Sequence, residues 1–434
     1  MFKRVLLALA TALPAALAMA LGVQLMTGRG PFYATEAARN AAQFEEVMRL
    51  VNKYYVREAD ADYSRLTSTA LDAMLHSLDP HSDFMSVREY HDFRDDTRGE
   101  FGGIGVHIEM RDKRLTVVAP IGGTPAERAG LLRGDQFLAV DGTNMDGLAL
   151  DKCLELLRGA PGTSVAVTLF RPRTSETLER TIVREIIKVQ SVRDVHMLEP
   201  GVGYVRILQF GEKTGQEFVA ALDLLESQGM EALVLDLRDN PGGLLTAAVA
   251  VAEPFFDKGE LIVYTQGRTD DSREEIRAKT SGARRAYPIA VLINSGSASA
   301  SEIVAGALRD THRAVLVGEK SFGKGSVQSI LPVRDGGALR LTTALYYIPS
   351  GAVIHGKGIE PAVAVTLSAE EDRKLAVQRH RLPVMTPDEF EQQFEFAPIE
   401  DRQLTAAIAA LRDGGTGFEK REGMRVETTA VAAP

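Results

Sequence analysis

A chain of 434 residues exceeds what one ordinary hydrophobic core supports, and 45% hydrophobic with 25% charged residues describes a folded, globular protein of two or three domains. The formal net charge is −9 and no Lys/Arg block stands apart from compensating acids, so the basic footprint that a phosphate backbone requires is missing and nucleic acid is not an expected partner. One cysteine, Cys153, excludes an intrachain disulfide and a multi-cysteine metal site, and the eight histidines form neither an H-x-H nor an H-E-x-x-H pair, so the chemistry is expected to need no metal or cofactor.

Lys3 and Arg4 precede an apolar run from Val5 to Met26 that is long enough to span a bilayer and also carries an Ala18-x-Ala20 exit like that of a signal sequence. Residues 1–30 therefore read as a signal sequence or membrane anchor. The basic pair stays cytoplasmic and the rest of the chain crosses the membrane. Because the apolar stretch continues past Ala20, anchoring is favoured over cleavage, and a bacterial periplasm is the expected location, with the protein held at the inner membrane or secreted after signal cleavage. Residues 34–98 read as helical, with Phe44, Val47, Met48 and Val51 on one face and Leu66, Ala70, Leu71, Met74 and Leu78 on another. Asp79-Pro80-His81-Ser82 then breaks the helix. An acid, a histidine and a serine inside one short turn cannot face one another as a catalytic triad does, so they are read as structural.

Residues 99–187 change to short strands, glycine turns and one helix. A strand is expected from Gly102-Gly103-Ile104-Gly105-Val106 through Met110, others at Leu115–Val118 and Gln136–Val140, a helix at about Leu148–Arg158, and paired strands at Val165–Arg171 and Glu179–Val183. This order resembles a circularly permuted PDZ domain, β-rich α+β, as found in bacterial proteases. Residues 188–365 alternate strands and helices as an α/β core does. Residues 366–434 are helical in patches and end in a tail, Glu427 to Pro434, that has no aromatic residue and is expected to be disordered.

Three segments of the α/β part follow strands, where such folds place ligands. In Arg238-Asp239-Asn240-Pro241-Gly242-Gly243 the paired glycines either turn backbone N–H groups toward a bound oxygen or simply make a strand-to-helix turn. In Ser295-Gly296-Ser297-Ala298-Ser299-Ala300-Ser301-Glu302 helix capping explains most of the serines, yet one hydroxyl there can be presented together with the Ala300 N–H; no G-x-S-x-G elbow is present. In Gly318 to Gln328, Lys324 stands between two glycines, a poor setting for a solvated surface lysine. A P-loop is excluded because Gly325 occupies the position that would have to be Ser or Thr.

The S-A-S-A-S-E run, with the lysine of F-G-K-G-x-V-Q following 25 residues after Ser299, resembles the carboxyl-terminal processing (tail-specific) peptidases, serine peptidase family S41. Leu78-Asp79-Pro80-His81-Ser82, Arg98-Gly99-Glu100-Phe101-Gly102-Gly103, Leu237 to Gly243, and Gly356-Lys357-Gly358-Ile359-Glu360-Pro361 extend the likeness over nearly the whole mature chain. The resemblance implies a multidomain α/β enzyme with a helical N-terminal region, a PDZ domain and a peptidase core similar to the crotonase/ClpP fold. It makes Ser299 the nucleophile, Lys324 the general base and Gln328 the residue that holds the lysine. It puts the oxyanion hole on the N–H of Ala300 and of either Gly242 or Gly243. Gly103, Ile104, Gly105 and Val106 resemble a PDZ carboxylate-binding loop, with Ile108, Leu154 and Leu157 completing a pocket for the last side chain of a protein or peptide C-terminus. His355 and Ser321 depart from the usual pattern, and neither is expected to touch the dyad.

A lysine is a base only when neutral, and burial beside apolar neighbours such as Phe322, with no carboxylate in contact, would favour that form. The rival readings are a PDZ adaptor with a dead peptidase core, against which Ser299, Lys324 and Gln328 all stand intact, and a crotonase-type lyase, for which no CoA-binding surface is evident. The oligomeric state, including a homo-oligomer, and an activating adaptor protein are left open by the sequence.

Overall fold

The computed structural model describes residues 35–111, 113–279, 285–381 and 386–412, so the segment read as signal or anchor and the C-terminal tail lie outside the described residues. The chain divides into two compact units, residues 1–84 and 85–434. The helical stretch expected over 34–98 is thus cut, and its last helix belongs to the second unit.

In the first unit, α1 (Glu36–Tyr54) starts where the Thr35 hydroxyl accepts the Ala38 N–H, and α2 (Tyr63–His76) where the Asp62 carboxylate accepts the Arg65 N–H. The apolar face read from the sequence for α1 is uncovered within this unit. No residue of α1 is buried, and Phe44 and Val47 are 48% and 51% exposed. After α2 the Asp79 carboxylate accepts the N–H groups of His81 and Ser82 and the Ser82 hydroxyl, at 2.8–2.9 Å, which is a turn closed on itself and agrees with the structural reading.

The second unit opens with α3 (Val87–Arg98), started by a Ser86/Glu89 capping box and stopped by Gly99 in the left-handed region at φ +65°. Strand β1 (Glu100–Gly103) follows. Next come β2 (Val106–Arg111), β3 (Arg114–Pro120), α4 (Pro125–Arg128), β4 (Gln136–Val140), β5 (Thr143–Asn144), α5 (Leu150–Leu157), β6 (Ser164–Arg171), β7 (Glu176–Val183) and β8 (Glu185–Lys188). The strand expected from Gly102 through Met110 is two strands, broken at Ile104-Gly105. Gly105 takes φ +76°, and any Cβ there would meet Thr124 Cβ at 2.4 Å. Strands β2-β3-β4-β6-β7 make one antiparallel sheet with β5 on β4, while β1 pairs with β8. Leu115, Val117, Phe137, Val165, Val167 and Leu169 close on Cys153 and Leu157 of α5. Arg171 grips the buried Asp135 through two bonds of 2.8 Å.

The α/β part runs β9 (Val192–Glu199), β10 (Val202–Ile207), α6 (Thr214–Ser227), β11 (Ala232–Asp236), α7 (Leu245–Ala252), β12 (Leu261–Gly267), β13 (Glu274–Arg277), β14 (Ile289–Ile293), α8 (Ala300–Asp310), β15 (Ala314–Gly318), β16 (Ser326–Pro332), β17 (Ala338–Tyr347), β18 (Val363–Ala364), α9 (Ala369–Arg381), α10 (Pro387–Phe394) and α11 (Arg402–Arg412). Its main sheet has the order β9-β10-β11-β14-β15-β18, parallel from β10 onward. Both faces are buried, as nearly continuous apolar strands require. Val205, Leu235 and Val291 face α6, α7 and α8, whereas Tyr204, Val234 and Leu292 face Ala407 and Leu411 of α11. The C-terminal helix therefore forms the third layer of the core. A second antiparallel sheet, β16-β17-β12-β13, carries the strand that follows Lys324.

Candidate active site

The three segments singled out above leave the C-terminal ends of the adjacent parallel strands β11, β14 and β15, so the topology brings them to one edge of the sheet. Ser299 stands immediately before α8 with φ +55° and ψ −111°, a backbone that a non-glycine residue rarely adopts. Surrounding bonds hold it there. Ala298 N–H donates to Asn240 O at 3.0 Å, the Ser297 hydroxyl to Leu237 O at 2.8 Å and the Ser301 hydroxyl to Asn240 O at 2.9 Å. Ser297 and Ser301 are fully buried and tie their loop to the glycine loop, whereas Ser299 opens onto a cavity.

That cavity, of about 300 Å³, brings together Ser299, Lys324, Gln328, Gly242 and Gly243, with Tyr346 beside them. Val327, Leu244 and Phe210 supply apolar wall. A larger cavity, of about 770 Å³ between α6 and α7, contains none of the predicted residues. Gly242 is required by contact, since a Cβ there would lie 2.8 Å from Ser299 Cβ and 3.0 Å from Ala300 N. Its own N–H donates to Asn240 Oδ1 at 2.9 Å. Among the described residues no acceptor serves the N–H of Gly243 or of Ala300, so these two donors remain available beside Ser299.

Lys324 is half-buried between Gly323, at φ +95°, and Gly325, where a Cβ would strike His355 N at 2.3 Å. Phe322 does not shelter it. That ring is 63% exposed, because the Phe322 N–H is tied to Ser297 O at 3.0 Å and the side chain turns outward. The Gln328 amide donates to the hydroxyls of Ser326 at 2.9 Å and Thr342 at 3.3 Å.

Sequence reasoning missed Glu302. Fully buried, it accepts the Ser299 N–H at 2.9 Å and the Lys324 N–H at 2.9 Å on one oxygen, and the Gly323 N–H at 2.8 Å and the Ser321 hydroxyl at 2.6 Å on the other. One carboxylate thus sets the spacing of the serine and lysine loops. The expectation that no carboxylate touches Lys324 is corrected for its main chain, and Ser321 stands one hydrogen bond from the residue that holds both loops. The Ser299-x-x-Glu302 capping-box pattern was the available signal; it marks the helix start but not the reach across to β15.

The glycine loop is anchored from behind. Asp236, fully buried, accepts Arg238 Nη2 at 2.6 Å and the Tyr204 hydroxyl at 2.7 Å, while Arg238 also reaches Asp401 and Gln403, and Arg379 of α9 bonds Asp239 at 2.7 Å. Burial alone would push the Asp236 carboxyl up, but Arg238, with Arg379 and Arg206 behind it, outweighs burial and holds it well below the usual carboxylate range. A carboxyl with a depressed folded pKa contributes stability that is present above its unfolded pKa, about 3.9, and is lost as pH falls toward the folded value. Urea midpoints should therefore drop steeply below about pH 4. Asp236→Asn should flatten that acid limb and cost about 3–5 kcal/mol at pH 7, because Arg238 then keeps Asp401 but loses its fully buried partner; an unchanged acid limb would reject the assignment.

Gly103, Ile104, Gly105 and Val106 lie outside the cavity and run from the end of β1 across the break to the start of edge strand β2. Among the described residues the N–H groups of Ile104 and Gly105 have no acceptor. Ile104 and Leu157, expected to line a pocket, are 2% and 4% exposed and pack in the segment's core, and Val106, Ile108 and Leu154 are half-buried. Ile104 turns inward because the carbonyls on either side of the kink are fixed, Ile104 O by Ala126 N–H and Gly105 O by Thr124.

The model of peptidase family S41 matches residues 201–365, and that of the PDZ domain matches residues 116–171. A carboxy-terminal-processing protease of Bartonella bacilliformis is 44% identical over 340 residues, covering 77% of each chain. The carboxy-terminal processing protease CtpB of Bacillus subtilis is 36% identical over 326 residues, 74% of this chain and 67% of that one. Among solved structures, the photosystem II D1 C-terminal processing protease is 32% identical with a TM-score of 0.43, covering 74% of this chain and 92% of that one. With the Bartonella protein matched over three quarters of its length, the chain belongs to peptidase family S41, the serine-type carboxy-terminal processing peptidases.

Proposed function

We propose that this peptidase cuts exported proteins near their C-termini through a Ser299–Lys324 dyad, after its PDZ segment has gripped the substrate's terminus. The observation that carries the reading is the single cavity shared by Ser299, Lys324, Gln328 and the Gly242-Gly243 turn. Ser299 Oγ attacks the scissile carbonyl carbon while its proton passes to the uncharged amine of Lys324, which Gln328 keeps in place. The oxyanion is received by the N–H groups of Ala300 and Gly243, the two left without acceptors. Collapse expels the amine of the C-terminal fragment, which takes the proton from Lys324, and leaves an ester on Ser299. A water deprotonated by Lys324 then hydrolyses that ester.

Residues 99–187 serve as the reader and 188–365 as the catalytic core, which we assign to the crotonase/ClpP type on its parallel strands β10, β11, β14 and β15. Strand β2 stands at the edge of its sheet, where a peptide strand adds, and the N–H groups of Ile104 and Gly105 suit a terminal carboxylate. Residues 1–30 place the enzyme on the periplasmic side of the inner membrane. Among the described residues no helix is long and apolar enough to cross a membrane.

The test is cleavage of one unfolded substrate bearing a free apolar, an amidated or an acidic C-terminus, with Ser299→Ala as the control. Amidation removes the charge and one acceptor and should weaken binding about tenfold to a hundredfold, since a charge-assisted hydrogen bond is worth about 1.5–3 kcal/mol. Equal cleavage of all three termini would remove substrate reading from the PDZ segment, and cleavage by Ser299→Ala would remove the dyad.

A further inference from the structure

Five polar side chains on the cavity wall, Asp96, Thr97, Gln209, Arg340 and Tyr346, are used by neither the motifs nor the proposed mechanism, and of these Tyr346 interacts with Ser299. Tyr346 sits on β17 and is 4% exposed. Its backbone N–H donates to Gly325 O at 2.7 Å, one residue beyond Lys324. Its phenol lies beside the Ser299 hydroxyl on the same cavity wall, within reach of a hydrogen bond. A single residue thus touches the nucleophile with its side chain and the loop of the base with its main chain.

Hydrogen-bond accounting gives this contact a direction. A buried phenol O–H left without an acceptor costs about 1–3 kcal/mol, and among the described residues the polar partner of the Tyr346 side chain is Ser299. Burial pushes the phenol up to about 12, against the opposing effect of the Ser299 bond, so at working pH it keeps its proton and serves as a donor. A serine hydroxyl has one proton and two lone pairs. If the phenol occupies one lone pair, the Ser299 proton must turn to another acceptor, and Lys324 lines the same cavity.

We propose that Tyr346 is a positioning residue that donates to Ser299 Oγ and so aims the serine proton at Lys324. The proposal rests on the dyad reading above. Phenol donation selects the productive hydroxyl rotamer before substrate arrives, and the Gly325 bond keeps the phenol in register with the lysine. The role differs from that of a general base because the phenol neither takes nor gives up a proton during turnover.

The experiment compares the parent chain, Ser299→Ala, Tyr346→Phe and a chain with 3,5-difluorotyrosine at position 346, using β-casein cleavage and the rate of labelling by a fluorophosphonate. Tyr346→Phe should lower kcat and the labelling rate together by about tenfold to a hundredfold, the effect of one misdirected proton transfer, with KM unchanged. The fluorinated phenol ionises at lower pH, so that chain should lose activity on the alkaline side at a pH where the parent still works. Parent-like kcat and labelling in folded Tyr346→Phe, or an alkaline limb that fluorination does not move, would overturn the proposal. Activity surviving in Ser299→Ala would instead overturn the dyad reading beneath it. Should Tyr346→Phe fail to fold, the fluorinated chain, which keeps the ring and the hydroxyl, decides alone.

Discussion

Ser299→Ala and Lys324→Ala should each reduce kcat/KM by about 10⁴-fold to 10⁶-fold, and the double variant should be no worse than either single one, because under the proposed mechanism the two side chains form one proton-transfer unit. Lys324→Arg should fail as badly, since a guanidinium is never uncharged at working pH. Folding should survive all of these changes. The Ser299 side chain faces a cavity, and the backbone of its loop is held by bonds that do not involve its hydroxyl: the Ser299 N–H to Glu302, and Ala298, Ser297 and Ser301 to the glycine loop. Cleavage of an unfolded substrate by purified chains, with far-UV circular dichroism as the folding check, decides the matter. Substantial turnover by folded Ser299→Ala would end the assignment. Ser297→Ala and Ser301→Ala act differently, because their buried hydroxyls tie loops together. They should cost stability first and activity only through it.

The second large effect belongs to Glu302. Its two oxygens accept four hydrogen bonds, one from the Ser299 N–H, one from the Lys324 N–H, and two from Gly323 and Ser321. A glutamine keeps one oxygen and turns an NH₂ group toward two donors, which leaves them unmet at a fully buried position. At about 1–3 kcal/mol for each buried unsatisfied group, Glu302→Gln should destabilise the fold by about 2–6 kcal/mol. It should also lower kcat by about a hundredfold or more, since misplacement by about 1 Å between reacting groups has that effect. Urea unfolding and kcat measured on the same preparation test both halves. Parent-like values in both would show that the two loops hold their spacing without the carboxylate.

The contrast between Ser299 and Glu302 shows where sequence reading stops. Ser299 and Lys324 carry local signs, a small-residue run before a helix and a lysine between glycines, and a family likeness converts such signs into roles. Glu302 carries a sign too, but a capping box states only that a helix begins. Its second task depends on the loop after β15 passing over the start of α8, which follows from strands β14 and β15 being neighbours. The same holds for Phe322. Its apolar character suggested shelter for the lysine, yet a main-chain bond to Ser297 O turns the ring out to solvent.

What the sequence determined by itself was the inventory of parts and their order: an apolar N-terminal run, helices, a glycine-punctuated β-rich segment, and an α/β core with its serine, lysine and glycine loops. Those features rest on periodicity, breakers and short motifs, which are local and survive in one dimension. Tertiary structure decided which side chains meet. It spent the Gly242 N–H on Asn240 and left that of Gly243 open, drew Ile104 into the PDZ core, laid α11 over the sheet as a third layer, and set the Tyr346 phenol against Ser299. Each of these outcomes follows from contacts between segments tens to hundreds of residues apart, where strand order and backbone hydrogen bonding, and not local propensity, determine which atoms come within reach.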